Sequence, residues 1–152
     1  CIALAFGQTA AKMIRAQLSG LIGLLAAPSA FIFAKSVHGV VAQSLDLPVG
    51  GASIPPVWAV ALIKGIEYAV LGFVVGWIGK QLWSLRRTAI SHVSVGLIVG
   101  LLFGGTLVLL SYYMPVKTPA IAAILPKALN EVIHPMGCAI VVFASEIFSR
   151  RT

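Results

Sequence analysis

The feature that most constrains this chain is an apolar run without a charged residue, which follows His92 and ends near Met114. Its length matches the ~20 residues that an α-helix needs to cross the hydrocarbon core of a bilayer. Three further apolar segments have a similar length. Lipid supplies no hydrogen-bond partner to the backbone, so such segments are expected to be helical. The sequence therefore predicts an all-α polytopic membrane protein, a single domain over residues 1–152 with four transmembrane helices at about 17–41, 56–79, 90–114 and 127–148.

The composition agrees with a membrane protein. Of the 152 residues, 59% are hydrophobic and 10% are charged, whereas soluble proteins contain about 25% charged residues. The net charge of +7 is not arranged as a basic stripe with interleaved aromatic residues, so nucleic acid is not an expected partner. The basic side chains are instead expected to contact the headgroups of anionic membrane lipids.

The distribution of lysine and arginine predicts the orientation. Loops with an excess of these residues face the cytoplasm. One side of the predicted helices has three such residues, and the other side has more than twice as many. The richer side contains Lys12, Arg15, Lys80, Arg86, Arg87, Arg150 and Arg151, and the poorer side contains Lys35, Lys117 and Lys127. Both termini are thus expected in the cytoplasm, and the expected location is a bacterial inner membrane. A lipid-modified Cys1 would require the opposite orientation.

Ionisable residues occur inside the predicted helices, where they cost several kcal/mol unless they are paired or hydrated. They are Lys64, Glu67, Glu131, His134 and His38. Helical spacing places the first two on one face of the second helix, and Glu131 and His134 on one face of the fourth. Two interpretations remain open. The residues either form a polar cluster that binds a proton, an ion or a small solute, or they form ion pairs that only hold helices or subunits together.

The histidines and cysteines leave the question of a cofactor open. His38 and His134 have similar predicted depths, so a haem or chlorin with two axial histidines is conceivable, although the sequence requires no cofactor. No metal site is predicted, because His134 and Cys138 supply only two of the three or four ligands needed. Cys1 and Cys138 show no CxxC spacing and predict no disulfide. We expect His92 at the cytoplasmic interface.

Glycines recur at intervals of four residues in the second and third predicted helices. Such spacing lets helix backbones approach closely in lipid. The positions are Gly72 and Gly76 in the second helix, and Gly96, Gly100 and Gly104 in the third. The pattern favours packing within the bundle, and the alternative is an interface with another subunit.

The chain also contains a weak internal similarity. The segments LDLPVGG…ALIKGIEYAVLGFVVGW and YYMPVKT…ALNEVIHPMGCAIVVF share their layout, and Glu67 corresponds to Glu131. Two helical hairpins with the same orientation would form a parallel repeat. The sequence leaves open whether this similarity arose by duplication.

The last helix carries a family resemblance. The segment NEVIHPMGCAIVVFASEIFSRR resembles the Glu-plus-His helix, ending in basic residues, of the YagU-like bacterial inner-membrane proteins. The resemblance covers the last quarter of the chain, and the rest is similar only in its four-helix layout. Glu67 and Tyr68 stand where that group tends to have histidine. The resemblance implies a membrane location, since the biochemistry of the group is poorly defined.

No enzymatic motif is present, and we expect no enzyme. The sequence has no Ser-His-Asp arrangement, HExxH motif or phosphate-binding loop, and Asp46 is its only aspartate. The small size and glycine faces favour a non-catalytic subunit of a larger membrane complex of respiratory or photosynthetic type. The alternative is a small oligomeric proton- or ion-coupled transporter or channel that uses the intramembrane Glu/His/Lys cluster.

Overall fold

The computed structural model describes residues 15–45, 55–79, 85–114 and 121–151. These residues form helices and contain no strand. The elements are α1 (Arg15–Ser44), α2 (Val57–Ile78), α3 (Leu85–Val99), a π-helical turn (Gly100–Gly104), α4 (Gly105–Tyr113) and α5 (Ile121–Arg151). Because α3, the π-turn and α4 follow one another without a break, they form one long helix. The prediction of an all-α chain with four helices long and apolar enough to span a membrane is therefore confirmed.

The candidate membrane spans begin and end within four residues of the predicted limits. The four candidate membrane spans are 17–44, 57–78, 86–113 and 124–148. Helix α5 begins at Ile121 and continues through Pro126, although we expected the last span to begin near Lys127. A proline inside a helix removes one hydrogen bond and bends the helix without ending it.

The four long helices pack as two antiparallel pairs. Helix α1 packs against α2, α3 packs against α5, and α2 joins the pairs through contacts with α3 and α5. The shared core consists of buried side chains from these last three helices. Its members are Tyr68, Leu71, Val75, Val99, Cys138, Ala139 and Val142. Helix α1 lies at the periphery, and almost all of its residues after Phe31 are exposed.

Glycines allow α3 and α5 to pack backbone against backbone. A methyl group on Gly96 would lie 2.6 Å from Cα of Met136, and one on Gly100 would lie 2.5 Å from the carbonyl oxygen of Val132. Backbone atoms cannot rotate away as side-chain atoms can. The three-glycine face of the third span therefore contacts α5 within the bundle, which is the arrangement expected of small residues in lipid. Gly72 and Gly76 of α2 are buried.

The π-turn and a proline determine the surroundings of Glu131. Pro135 has no N–H group, so the carbonyl group of Glu131, four residues earlier, loses its usual helical donor. Gly104 closes the π-turn and faces this region, because a methyl group there would lie 2.9 Å from the carbonyl oxygen and Cβ of Glu131. π-turns are rare and often occur at functional sites. Glu131 therefore lies where two helices with irregular hydrogen bonding meet.

Candidate functional site

Three of the ionisable residues singled out in the sequence converge between α2 and α5. Lys64 Nζ lies 2.7 Å from Glu67 Oε2 and forms a second ion pair with Glu131. We call Lys64, Glu67 and Glu131 the ion cluster. All three are buried, with 8%, 0% and 8% of their surface exposed, respectively. One ammonium group thus bridges two carboxylates that belong to different helices.

The local sequence explains this convergence. Lys64 and Glu67 are one helical turn apart on α2, so their side chains share a face. That face also carries buried Tyr68 and Leu71, and it therefore turns toward α5. Glu67 lies at the middle of α2, which runs from residue 57 to residue 78. Its Oε1 atom has no hydrogen-bond partner among the described residues. The deepest carboxylate consequently keeps one oxygen available for a ligand.

A cavity of about 240 Å³ leads to the ion cluster from one end of the bundle. Its charged lining residues are Lys35, Lys127 and Glu131, and its other lining residues are Phe31, Pro55, Val57 and Val60. The Lys127 ammonium group donates a hydrogen bond of 2.5 Å to Ser111 Oγ. Glu131 belongs to both the cavity wall and the ion cluster. A small polar ligand that entered the cavity would therefore meet the carboxylate that pairs with Lys64.

A second polar contact lies next to the ion cluster. The hydroxyl group of Tyr68 is 2.5 Å from Nδ1 of His134. Tyr68 is buried, whereas His134 is exposed. The ring of Tyr68 also lies beneath the Lys64 ammonium group, whose Nζ is 5.9 Å from the ring centroid. Tyr68 therefore connects His134 with the ion cluster, a contact that the sequence analysis does not predict.

Replacing Tyr68 with phenylalanine tests this contact. We expect Tyr68→Phe to lower the free energy of unfolding in mixed micelles by about 1 kcal/mol, the usual contribution of a hydrogen bond. The ¹⁵N resonances of His134 should change in the same variant. Tyr113→Phe is the matched control, because Tyr113 is 75% exposed and should change the unfolding free energy by less than about 0.5 kcal/mol. Equal effects of the two substitutions would contradict the assigned role of Tyr68.

The other sequence candidates lie apart from the ion cluster. His38 is exposed on α1, and no hydrogen bond, ion pair or ring contact connects it with a described residue. Cys138 is disulfide-bonded, which corrects our expectation of no disulfide; its partner lies outside the described residues. A disulfide sulfur has no proton to donate, so the 3.9 Å between Cys138 Sγ and Tyr68 Oη is a packing contact. The described part of the chain brings no three His, Cys, Asp or Glu residues together as a metal site.

The structure adds a buried pair that the sequence analysis missed. His92 Nε2 lies 3.7 Å from Glu146 Oε1, between α3 and α5. The side chain of His92 is fully buried within the bundle, and its expected depth at the cytoplasmic interface stays a prediction. Helical periodicity would have indicated Glu146, which lies on the same face of α5 as Glu131, Cys138 and Val142. These four residues are all buried.

Comparisons with known proteins return no relative. No family model, curated protein or solved structure matches the chain. The resemblance to the YagU-like group consequently remains a prediction, and the functional argument depends on the residues themselves.

Proposed function

We propose that this chain is a small transporter or channel that moves protons, or an ion coupled to protons, across a membrane through the ion cluster. The observation that supports this most is a buried carboxylate pair, bridged by one lysine, of which Glu131 also lines a cavity. Ionisable residues at membrane depth commonly mark ion pathways and proton relays. The proposal assigns no chemical transformation to the chain.

The charge balance of the ion cluster suits an exchangeable cation. Two carboxylates and one ammonium group leave one negative charge when all three are ionised. A buried charge without a partner is costly, so binding one proton or one monovalent cation would neutralise the ion cluster itself, apart from Lys35 and Lys127 in the cavity wall. Glu67 Oε1 is an acceptor atom of the cluster that has neither a hydrogen bond nor an ion pair with a described residue. Transport binding sites near the middle of the membrane are a common arrangement, and Glu67 has this position in α2.

Proton flux into liposomes tests the proposal. The purified chain is reconstituted in liposomes that contain a pH-sensitive dye, and a potassium gradient with valinomycin sets the membrane potential. We expect potential-driven acidification that Glu67→Gln and Glu131→Gln each reduce by at least about tenfold, since removing a proton-transfer group typically costs 10²–10⁴-fold. ²²Na⁺ uptake, measured in parallel, shows whether the conducted ion is sodium.

A control variant separates transport from leakage. His38→Gln removes an exposed ionisable group on α1, away from the ion cluster, and should leave the flux unchanged. The proposal is wrong if the unmodified chain conducts neither protons nor sodium above protein-free liposomes. It is also wrong if both glutamine variants conduct like the unmodified chain.

A second candidate function is a non-catalytic subunit of a larger membrane complex. One observation favours it: α1 packs against α2, and its second half presents large exposed side chains such as Phe33, Val37 and Val40. Extraction from the native membrane under mild conditions would test this function. Co-migration with a particle of several proteins supports the subunit, whereas a particle of this chain alone supports the transporter. An absorption spectrum of the same particle tests for a pigment or haem.

We further propose that the chain resides in a bacterial inner membrane with both termini in the cytoplasm. The support is the excess of lysine and arginine on the side of both termini. Reporter fusions at each terminus test this orientation. A reporter that is active only outside the cytoplasm should remain inactive at both positions, and activity at either terminus would contradict the proposed orientation.

A further inference from the structure

The pair formed by His92 and Glu146 lies at the opposite end of the bundle from the cavity. His92 is near the beginning of α3, and Glu146 is near the end of α5. Both are buried, with 0% and 6% of their surface exposed. Along α5, Glu146 is about 22 Å from Glu131, at 1.5 Å per residue. The described residues thus contain two buried ionisable centres that are well separated along α5.

The hydrogen bond of His92 determines which ring nitrogen faces Glu146. Nδ1 lies 2.8 Å from the carbonyl oxygen of Thr88. A carbonyl group only accepts hydrogen bonds, so Nδ1 carries the proton. In the neutral ring Nε2 is therefore the nitrogen with a lone pair, and it faces Glu146 Oε1. A second proton on the ring would bind at this atom.

The neutral His92 ring and the Glu146 carboxylate bring three hydrogen-bond acceptor atoms together, and no described residue donates a hydrogen bond to any of them. His92 Nε2 and both carboxylate oxygens of Glu146 have no hydrogen-bond partner among the described residues. The 3.7 Å between Nε2 and Oε1 exceeds the length of a direct hydrogen bond. Buried polar atoms in native proteins nearly always have a hydrogen-bond partner, and a proton on Nε2 or Oε1 would turn one of these acceptors into a donor. Two side-chain ligands are too few for a metal ion, and a proton is the ligand that fits.

A glycine makes room for the carboxylate. A methyl group on Gly79, at the end of α2, would overlap Oε1 of Glu146. The ring of Phe143 covers His92 from another side, with 5.4 Å between the ring centroids. The space around the carboxylate is therefore bounded by α2, α3 and α5, and a residue with a side chain at position 79 would close it.

The charged groups around this pair are few. On α3, Arg86 and Arg87 belong to the first turn and are exposed. Helix α2 has no titratable residue between Tyr68 and Gly79, and α5 has none between Cys138 and Glu146. Lys80, and the side chains of Arg150 and Arg151 at the end of α5, lie outside the described part of the structure.

We propose that His92 and Glu146 form a second proton-binding site, which exchanges protons between the bundle interior and the arginine-rich end of the chain. In the exchange the Nε2–H bond breaks and an O–H bond forms at Oε1, so the proton passes from the ring to the carboxylate without any redox change. The direction of the exchange rests on the proposed transport function. The proton-binding site itself does not.

The core separates the two centres. Leu71, Val75, Val99 and Val142 are buried between the ion cluster and the His92–Glu146 pair. Apolar side chains carry no proton, so protons pass between the centres only when water enters the core or the helices rearrange. The two sites are therefore expected to bind protons independently in the structure described.

Infrared difference spectroscopy of the purified chain tests the site without requiring transport. Spectra recorded at two pH values show bands of the side chains that gain or lose protons. We expect a carboxyl band that disappears in Glu146→Gln and a histidine band that disappears in His92→Gln. The His92 band should change in Glu146→Gln and remain the same in Glu131→Gln, which removes an equally buried carboxylate at the other centre.

Proton flux in liposomes then links the site to transport, with an expected loss of at least about tenfold in Glu146→Gln. If Glu146→Gln leaves both the His92 band and the flux unchanged while Glu131→Gln abolishes the flux, the inference is overturned and the proposed function stands. If the unmodified chain conducts nothing but the two bands behave as expected, the proposed function fails and the proton-binding site stands. If either variant does not fold, the spectra of the unmodified chain decide. The site is overturned when these spectra contain no histidine band that changes between the two pH values.

Discussion

Replacement of Lys64 with methionine is expected to lower the free energy of unfolding in mixed micelles by about 3–5 kcal/mol. Loss of one partner of a buried ion pair leaves an uncompensated charge, and this is the usual size of that penalty. Here one lysine serves two buried carboxylates, Glu67 and Glu131, so the substitution removes the partner of both. Methionine has nearly the volume of the lysine stem, so the substitution leaves little empty space and the expected loss comes mainly from the missing charge.

A compensating variant distinguishes charge from packing. The triple variant with methionine at positions 64, 67 and 131 replaces the ion cluster with apolar side chains of similar shape, and such replacements are often neutral or stabilising. It should unfold within about 1.5 kcal/mol of the unmodified chain. Lys35→Met, at an exposed lysine of α1, should change the unfolding free energy by less than about 0.5 kcal/mol. A Lys64→Met variant as stable as the unmodified chain would mean that water, and not Lys64, compensates the carboxylates.

Replacement of Gly23 with leucine is expected to separate α1 from α2. A methyl group at Gly23 would overlap the carbonyl group of Tyr68 and would lie 3.0 Å from the nitrogen of Ala69. These are backbone atoms inside a helix, so α1 must move away as a unit. We expect a loss of at least about 3 kcal/mol in the free energy of unfolding, at or above the upper end of the usual penalty for overpacking.

The same helix provides a matched control. Gly39 has nothing within 4 Å of a methyl group at its position. Gly39→Leu should therefore leave the chain as stable as before, or up to about 1 kcal/mol more stable, because glycine is a poor helix former. If both leucine variants unfold alike, close packing at Gly23 is not what holds α1 to α2.

Much of the fold could be predicted, because lipid permits few structures. An apolar segment of about 20 residues must be helical when water is absent, so the four spans followed from length and hydrophobicity alone. The last span was expected from about residue 127 and the candidate span begins at residue 124, because the proline-rich segment before it was assigned to a connection. Helix α5 contains both Pro126 and Pro135. Each proline removes one backbone hydrogen bond, and neither ends the helix. The π-turn at Gly100–Gly104 has no sequence signal that we recognised.

The candidate site was predicted only in part, because sequence spacing reports neighbours on one helix and not contacts between helices. Lys64 and Glu67 follow from their spacing, whereas the approach of Glu131 depends on how α2 and α5 pack. His38 was grouped with them on predicted depth alone, and the peripheral position of α1 leaves it outside. His92 and Glu146 were overlooked because each lies near a span end, where charged groups normally face water.

If the chain spans a membrane and binds protons as proposed, the separation of the two ionisable centres along α5 would make it responsive to the membrane potential. With α5 along the membrane normal and both Glu131 and Glu146 inside the hydrocarbon core, a displacement of about 22 Å would cover roughly 70% of its ~30 Å thickness. One elementary charge that crosses the full membrane gains about 2.3 kcal/mol per 100 mV. At 100 mV, the energy of a proton near Glu146 would therefore differ by about 1.6 kcal/mol from that of a proton near Glu131. This difference changes the ratio of the two occupancies roughly 15-fold. A cell that changes its membrane potential would thereby change which end of the protein holds the proton.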